Sequence, residues 1–136
     1  MIYLDSSAIV KLIRVEAESP DLRDWLNAQG APPVTSVLAE VEVPRALRRS
    51  GPAHLAVMPG VLARISRIDI DASVRATAAA YVDDALRSLD AIHLATAEVL
   101  VASGKTVSAF ITYDRRQAAA VVASGMAVAA PGQVAR

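Results

Sequence analysis

The sequence contains no cysteine, and this absence excludes disulfide bonds and thiolate metal sites. A chain without thiols is compatible with a reducing compartment. The apolar run at the N-terminus is short, has no basic residue before it and is interrupted by Asp5, so it predicts neither a signal peptide nor a membrane span. We therefore expect a cytoplasmic protein with no membrane anchor.

Net charge and aromatic side chains are scarce as well. Fourteen Lys and Arg residues balance fourteen Asp and Glu residues, so the overall charge does not indicate a nucleic-acid binder. One Phe, one Trp and three Tyr offer little surface for stacking against bases. If the protein binds a nucleic acid, recognition must rely on where its charges lie and on the shape of the ligand.

Hydrophobic side chains, in contrast, make up 54% of the 136 residues. This length and apolar content are typical of one compact domain, and we expect residues 1–136 to form it. Short runs of strand-favouring residues alternate with runs of helical periodicity. The alternation predicts a layered α/β fold in which a short, mainly parallel central sheet is flanked by helices.

The boundaries of the elements follow from apolar periodicity and from helix start and stop signals. We predict strands at 2–4, 33–35, 65–70, 107–112 and 127–130. We predict helices after Asp5 and at 20–29, 36–49 (with a kink at Pro44), 72–86, 89–101 and 115–124. A further helical stretch begins at Gly51-Pro52 and is interrupted at Pro59-Gly60.

Four acidic residues stand in strongly apolar local sequence, namely Asp5, Glu42, Asp90 and Asp114. Carboxylates in such surroundings are costly unless a cation compensates them. Asp5 and Asp114 also lie where a strand gives way to a helix, and parallel sheets bind ligands beyond the carboxyl ends of their strands. Oxygen ligands without cysteine favour Mg²⁺ or Mn²⁺ over zinc. Taken singly, each acid also has a structural explanation, such as helix capping by Asp5 and Asp114.

Four segments of the chain carry a resemblance to a known family. They are Tyr3-Leu4-Asp5-Ser6-Ser7-Ala8, residues 41–49 (VEVPRALRR), residues 89–97 (LDAIHLATA) and residues 112–116 (TYDRR). Their order and content resemble the PIN domain, and in particular the VapC toxins of bacterial VapBC toxin–antitoxin systems. The resemblance extends over essentially the whole chain, and its third segment is the most specific.

The resemblance implies a PIN-like three-layer domain with a metal-dependent ribonuclease activity. Asp5, Glu42, Asp90 and Asp114 would form the acidic quartet, with Asp5 and Asp90 as the most direct metal ligands. The cofactor would be Mg²⁺, with Mn²⁺ as a substitute, and RNA phosphodiester bonds would be hydrolysed by metal-activated water.

Two hydroxyl groups match positions near the metal site of such proteins, those of Ser7 and Thr112. Each also has an ordinary explanation as a local cap. The resemblance further implies a homodimer and a cognate VapB antitoxin whose C-terminal segment covers the active site. The alanine- and valine-rich region 72–130 holds more apolar surface than so small a domain needs, which favours burial against a second chain.

Several basic residues lie close in sequence to the acids, and they are candidates for holding RNA phosphates. The set comprises Arg45, Arg87 and Arg115, together with Arg48, Arg49 and Arg116. A solvated helix face is an equally good explanation for any one of them.

Two residues near the acids leave a choice open. Glu40 lies two residues before Glu42, so the two point in different directions from one helix, and the position within the motif favours Glu42. His93 follows Asp90 by three residues and could act as a general base. We favour a structural role for His93, because a metal-activated water is already a sufficient nucleophile.

Three other functions are alternatives to a ribonuclease. A phosphatase of the haloacid dehalogenase type needs a second Asp two positions after Asp5, and Ser7 stands there. A receiver domain needs paired acids after its first strand, which this chain lacks. A catalytically weak PIN-fold module that binds RNA or serves as a scaffold stays as the alternative, although such proteins usually have incomplete acidic sets.

Overall fold

The computed structural model describes residues 1–134. A five-stranded sheet forms its centre, in the order β3-β2-β1-β4-β5, and every pair of neighbouring strands is parallel. The strands are β1 (Ile2–Leu4), β2 (Pro33–Ser36), β3 (Ser66–Ile68), β4 (Ala109–Ile111) and β5 (Val128–Ala129). The helices are α1 (Ser6–Ile13), α2 (Ser19–Gln29), α3 (Ala39–Arg48), α4 (Met58–Leu62), α5 (Ala72–Ala79), α6 (Ser88–Ala102) and α7 (Arg115–Ala123), with a 3-10 helix at Pro52–Ala56.

Alternate residues of β1 divide the interior into two cores. Ile2 and Leu4 pack with the helices α1 to α4 on one face of the sheet. Tyr3 packs on the opposite face with side chains of α6 and α7. All three residues are completely buried, because successive side chains of a central strand point to opposite covered faces. The predicted layered α/β fold with its parallel sheet is thereby confirmed.

The strand order creates a crevice beside the first strand. The chain proceeds from β1 to β2 and β3 on one side and then crosses over to β4 and β5 on the other. Asp5 follows β1 directly and donates its backbone N–H to the carbonyl of Ile111, at the end of β4, at 3.2 Å. Thr112 follows β4 directly. Ligands of open α/β sheets bind at such a switch point, outside the carboxyl ends of the strands.

One predicted helix, 72–86, is wrong in its second half. α5 ends at Ala79, and the segment after it forms a turn in which Asp83 accepts two hydrogen bonds. Its side-chain Oδ1 binds the N–H of Ala85 at 2.9 Å, and its carbonyl binds the N–H of Leu86 at 3.1 Å. An Asp side chain that captures a nearby backbone donor competes with the helical hydrogen bond, and alanine-rich periodicity does not reveal this.

Other boundaries also differ from prediction. The helix expected from Ser36 begins only at Ala39, because Ser36 still belongs to β2 and its hydroxyl accepts the N–H of Leu38 at 3.1 Å. The interruption expected at Pro59-Gly60 is wrong: both residues lie inside α4. Proline is tolerated there because the first turn of a helix has no use for its N–H.

Several large apolar side chains of the second half of the chain are exposed, namely Val82 (93%), Leu89 (48%), Val101 (46%) and Val122 (59%). They lie within the alanine- and valine-rich region 72–130, and the first half of the chain has exposed valines as well, at Val15, Val41 and Val57. Among the helices of residues 1–134, none is both long and apolar enough to span a membrane.

Two adjacent valines of α7 provide a test of this packing. Val121 is fully buried in the core around Tyr3, whereas Val122 is 59% exposed. We expect Val121→Ala to lower the free energy of unfolding by roughly 2 kcal/mol or somewhat more, through lost burial and a cavity. Val122→Ala should change it by less than about 0.5 kcal/mol. Urea denaturation of both variants measures this, and equal effects would show that α7 is rotated differently.

Candidate metal centre

Asp5 joins the end of β1 to the start of α1. Its Oδ1 accepts the backbone N–H of Ala8 at 3.1 Å, which caps α1. Only 6% of Asp5 is exposed. Burial raises the pKa of its carboxyl, and the charge of His93 and the hydroxyl of Ser7 offset part of that rise. The protein therefore holds a carboxyl group in a place that disfavours its charge.

Ser7 connects Asp5 to the segment that follows β4. Its hydroxyl donates to Oδ1 of Asp5 at 2.6 Å and accepts the backbone N–H of Tyr113 at 3.0 Å. The neighbouring hydroxyl of Thr112 accepts the N–H of Asp114 at 3.1 Å and helps to lower the pKa of Asp5. Both hydroxyls therefore lie at the site, and they fix the geometry between Asp5 and Asp114.

Asp90 and Asp114 approach the same edge of the sheet from two helices. Asp90 lies in the first turn of α6, and Asp114 caps α7 through its Oδ1, which accepts the N–H groups of Arg116 and Gln117 at 2.9 and 3.4 Å. Burial raises the pKa of Asp90, and the charges of Asp114 and then Asp5 raise it further. The charges of Asp114 and Asp5 therefore both act on Asp90.

Gln117 sets the spacing between these two helix starts. It is fully buried, and its side-chain Nε2 donates to the carbonyl of Asp90 at 3.1 Å while its backbone N–H is capped by Asp114. Sequence reasoning missed this residue. A polar Gln on the apolar face of α7 was the available signal, because a buried amide needs partners.

Glu42 reaches the site from α3 and is held by side chains alone. Its Oε1 accepts the hydroxyl of Ser6 at 2.5 Å and lies 2.6 Å from Nε2 of His93. Burial acts to raise its pKa, but the hydrogen bond and charge of His93 outweigh burial, so the pKa lies below its usual range. Glu40 points elsewhere and pairs with Arg67 of β3 at 3.3 Å.

The carboxylate oxygens of the four acids are ligands of the kind that a hard divalent cation prefers. Within residues 1–134, no salt bridge involves Asp5, Asp90 or Asp114, so no lysine or arginine takes the place of a metal ion. In the same part of the chain, hydrogen bonds use one oxygen each of Asp5, Glu42 and Asp114, which leaves the other free to ligate. The described residues contain no ready-made cluster of three ligands, so cation binding would have to draw the carboxylates together.

A groove of about 750 Å³ opens beside the acids. Glu42 and Asp114 line it together with four basic residues, Lys11, Arg14, Arg45 and Arg49. Lys11 and Arg14 are engaged by Glu16, at 2.7 Å in both cases. Arg45 lies in α3 and Arg49 directly follows the end of that helix, and both are exposed, whereas Arg87 and Arg115 do not line the groove.

Comparisons with known proteins give consistent matches. The family described as the PIN domain matches residues 2–122. Ribonuclease VapC35 of Mycobacterium tuberculosis is 53% identical over 134 residues, or 98% of each chain, and Ribonuclease VapC46 of the same organism is 44% identical over 130 residues, or 96% of this chain and 97% of the relative. A toxin–antitoxin complex from Klebsiella pneumoniae shares the fold, with a TM-score of 0.74 at 18% identity, over 98% of this chain and 100% of that one.

Replacing Asp90 by Asn is expected to stabilise the metal-free protein at neutral pH. In the folded protein the pKa of Asp90 is raised, so protonation of Asp90 stabilises the folded state. This contribution is fully present below the unfolded pKa of about 3.9 and is lost as pH rises through the folded pKa. Asn cannot ionise and keeps that stability. Asp90 is partly exposed, so solvent screening should limit the gain to about 1 kcal/mol or less.

Thermal unfolding with a chelator, at about pH 7 and about pH 4, measures this gain, which should be clearly smaller at the lower pH. Asp24→Asn, on the exposed surface of α2, is the matched control because it removes the same charge away from the site. A gain at neutral pH no larger than that of the control would show that the acids do not repel one another.

Proposed function

Since this chain belongs to the PIN-domain family, we propose that it is the VapC-type toxin of a type II toxin–antitoxin system and a metal-dependent ribonuclease. The observation that carries the proposal is the placement of Asp5, Asp90 and Asp114 at the switch point of the sheet, where the charges of Asp114 and Asp5 both repel the carboxylate of Asp90. A cation removes that repulsion, and so a site of this charge both attracts a divalent ion and needs one before it can accept a phosphate.

The four acids have distinct parts in this proposal. Asp5 and Asp90 are the most direct ligands of Mg²⁺ or Mn²⁺, while Glu42 and Asp114 complete the set. When bound, the cation supplies Lewis-acid chemistry: it offsets phosphate charge and activates a water molecule. Ser7 and Thr112 keep Asp5 in register with the segment after β4, so their contribution is to the geometry of the ligands.

The groove beside the acids suits the backbone of RNA. Arg45 in α3 and Arg49 at its C-terminal end offer two exposed cations in the groove that Glu42 also lines, and guanidinium groups bind phosphate in a bidentate manner. Arg45 is therefore the foremost of the predicted phosphate contacts. Arg87 and Arg115 lie outside the groove, and the guanidinium of Arg115 donates to the carbonyl of Val134 at 3.1 Å, so these two would contact only flanking phosphates.

The partners follow from the same proposal. A cognate VapB antitoxin would inhibit the enzyme by placing its C-terminal segment over the acids, where an arginine could offset their charge in place of the cation. Val82, Leu89, Val101 and Val122 offer exposed apolar surface for a homodimer. The toxin would act in the cytoplasm, where its RNA substrates are.

Asp5→Asn provides the sharpest test of the proposal. The amide oxygen can still cap α1, so the fold should be retained while a metal ligand loses its charge. We expect chelator-sensitive cleavage of RNA in Mg²⁺ or Mn²⁺ to fall by at least about a hundredfold. Asp71→Asn is the matched control, because Asp71 caps α5 in the same way, through the N–H of Val74 at 2.9 Å.

The assay should include several structured and single-stranded RNAs, with the chelator in a parallel series. Cleavage by Asp5→Asn at the rate of Asp71→Asn would refute the assignment of Asp5. Failure of the wild-type protein to cleave any RNA would instead favour the scaffold or RNA-binding alternative.

Arg45→Ala tests the path of the RNA. In the inactive Asp5→Asn background it should weaken RNA binding for all sequences and reduce the slope of log affinity against log salt concentration by about 1. Arg87→Ala, which removes an exposed arginine outside the groove, should have a clearly smaller effect. Fluorescence anisotropy across a salt series measures both, and a larger effect of Arg87→Ala would place the RNA elsewhere.

A further inference from the structure

A chain of buried hydrogen bonds leads from the core to Glu42. The hydroxyl of Tyr3 lies 2.6 Å from Nδ1 of His93, and Nε2 of His93 lies 2.6 Å from Oε1 of Glu42. Tyr3 is completely buried and His93 is 3% exposed. Both ring nitrogens of His93 are therefore occupied by protein partners. The ring therefore has no nitrogen left to contact a substrate directly.

The direction of one hydrogen bond follows from the groups at its ends. Oε1 of Glu42 already accepts the hydroxyl of Ser6, and a carboxylate oxygen is an acceptor. Nε2 of His93 is therefore the donor to Glu42. On the other side of the ring, the tautomer of His93 decides whether Nδ1 or the hydroxyl of Tyr3 is the donor.

Glu42 needs such a brace more than the other acids do. Asp5 and Asp114 are short side chains fixed by backbone N–H groups at helix starts. The hydrogen bonds of Glu42 come from side chains, those of Ser6 and His93, and a Glu side chain loses considerable rotamer freedom when it is held. Both donors bind Oε1, which leaves Oε2 as the oxygen available to a ligand.

We infer that Tyr3 and His93 are positioning residues that act through Glu42, by holding its Oε1 so that Oε2 is presented to the divalent cation. Neither residue contacts the cation or the RNA. The inference rests on the proposed function and extends it to two residues beneath the acidic site. Partners of this kind, one step removed from a metal ion, commonly affect metal affinity when they are replaced.

Packing alone does not account for the hydroxyl of Tyr3. The ring stacks on Phe110 with centroids 4.7 Å apart and meets the edge of His93 at 5.8 Å. A phenylalanine would keep both of these contacts. The hydroxyl is therefore the atom whose role has to be tested, and Tyr3→Phe removes it with little change to the core.

Calorimetric titration of the full chain with Mn²⁺ tests the inference. Tyr3→Phe should bind Mn²⁺ about tenfold more weakly than the wild type. Tyr81→Phe is the matched control, since it removes another partly buried hydroxyl, which donates to Glu98 at 2.8 Å on the α5–α6 side of the molecule. Its Mn²⁺ affinity should equal that of the wild type. Equal affinities of the two variants would overturn the inference.

A double-mutant cycle separates positioning from a general loss of structure. In a Glu42→Ala background, Tyr3→Phe should no longer change Mn²⁺ affinity, because the residue through which it acts is absent. If Tyr3→Phe lowers Mn²⁺ affinity equally with Glu42 present and with Glu42 replaced, the inference is overturned. A second pair of variants tests the inference if Tyr3→Phe does not fold. His93→Gln, which keeps an N–H donor, should bind Mn²⁺ more tightly than His93→Leu. Equal losses of Mn²⁺ affinity in these two variants would overturn the inference.

The outcome also distinguishes this inference from the proposed function. A wild-type protein that binds no Mn²⁺ and cleaves no RNA would overturn both. A wild-type protein that binds Mn²⁺ and cleaves RNA, with Tyr3→Phe unchanged in affinity, would overturn the positioning role alone.

Discussion

The carboxylate of Asp90 is repelled by those of Asp114 and Asp5 at the carboxyl edge of the sheet, and partial burial removes much of the water that would weaken this repulsion. A fold brings like charges together only where something else holds them. Here β1 and β4 lie side by side, so the residues that follow them are neighbours whatever their charge. The topology of the sheet therefore brings these charges close together.

Short-range hydrogen bonds keep these acids in place. Asp5 and Asp114 each cap the helix that follows their strand, Ser7 bridges the two strand ends, and Gln117 fastens the start of α6 to the start of α7. Capping does not compete with metal binding at Asp5 and Asp114, because the capping bonds use Oδ1 and leave Oδ2 for a ligand.

The parts of the site that sequence reasoning could predict are those that depend on local order. A carboxylate at the end of a strand and before a helix can be recognised from a few residues, as at Asp5, and a parallel sheet then places such ends together. The contact between Glu42 and His93 joins residues 51 positions apart and depends on how α3 and α6 are rotated about their axes. Periodicity alone does not determine that rotation. The early end of α5 is another feature that periodicity does not reveal, because the turn after it is held by a hydrogen bond from the backbone N–H of Ala85 to the side chain of Asp83.

The mode of attachment explains which acids are locally encoded and which are not. A short Asp at a helix start finds donors in the backbone of its own helix, so its geometry comes with the element that carries it. Glu42 has a longer side chain, and its donors come from α1 and α6, so its geometry exists only when three helices have packed. The position of the Glu42 carboxylate therefore depends on tertiary structure. The buried pair of Tyr3 and His93 connects the core to this carboxylate through two hydrogen bonds and so restricts its position.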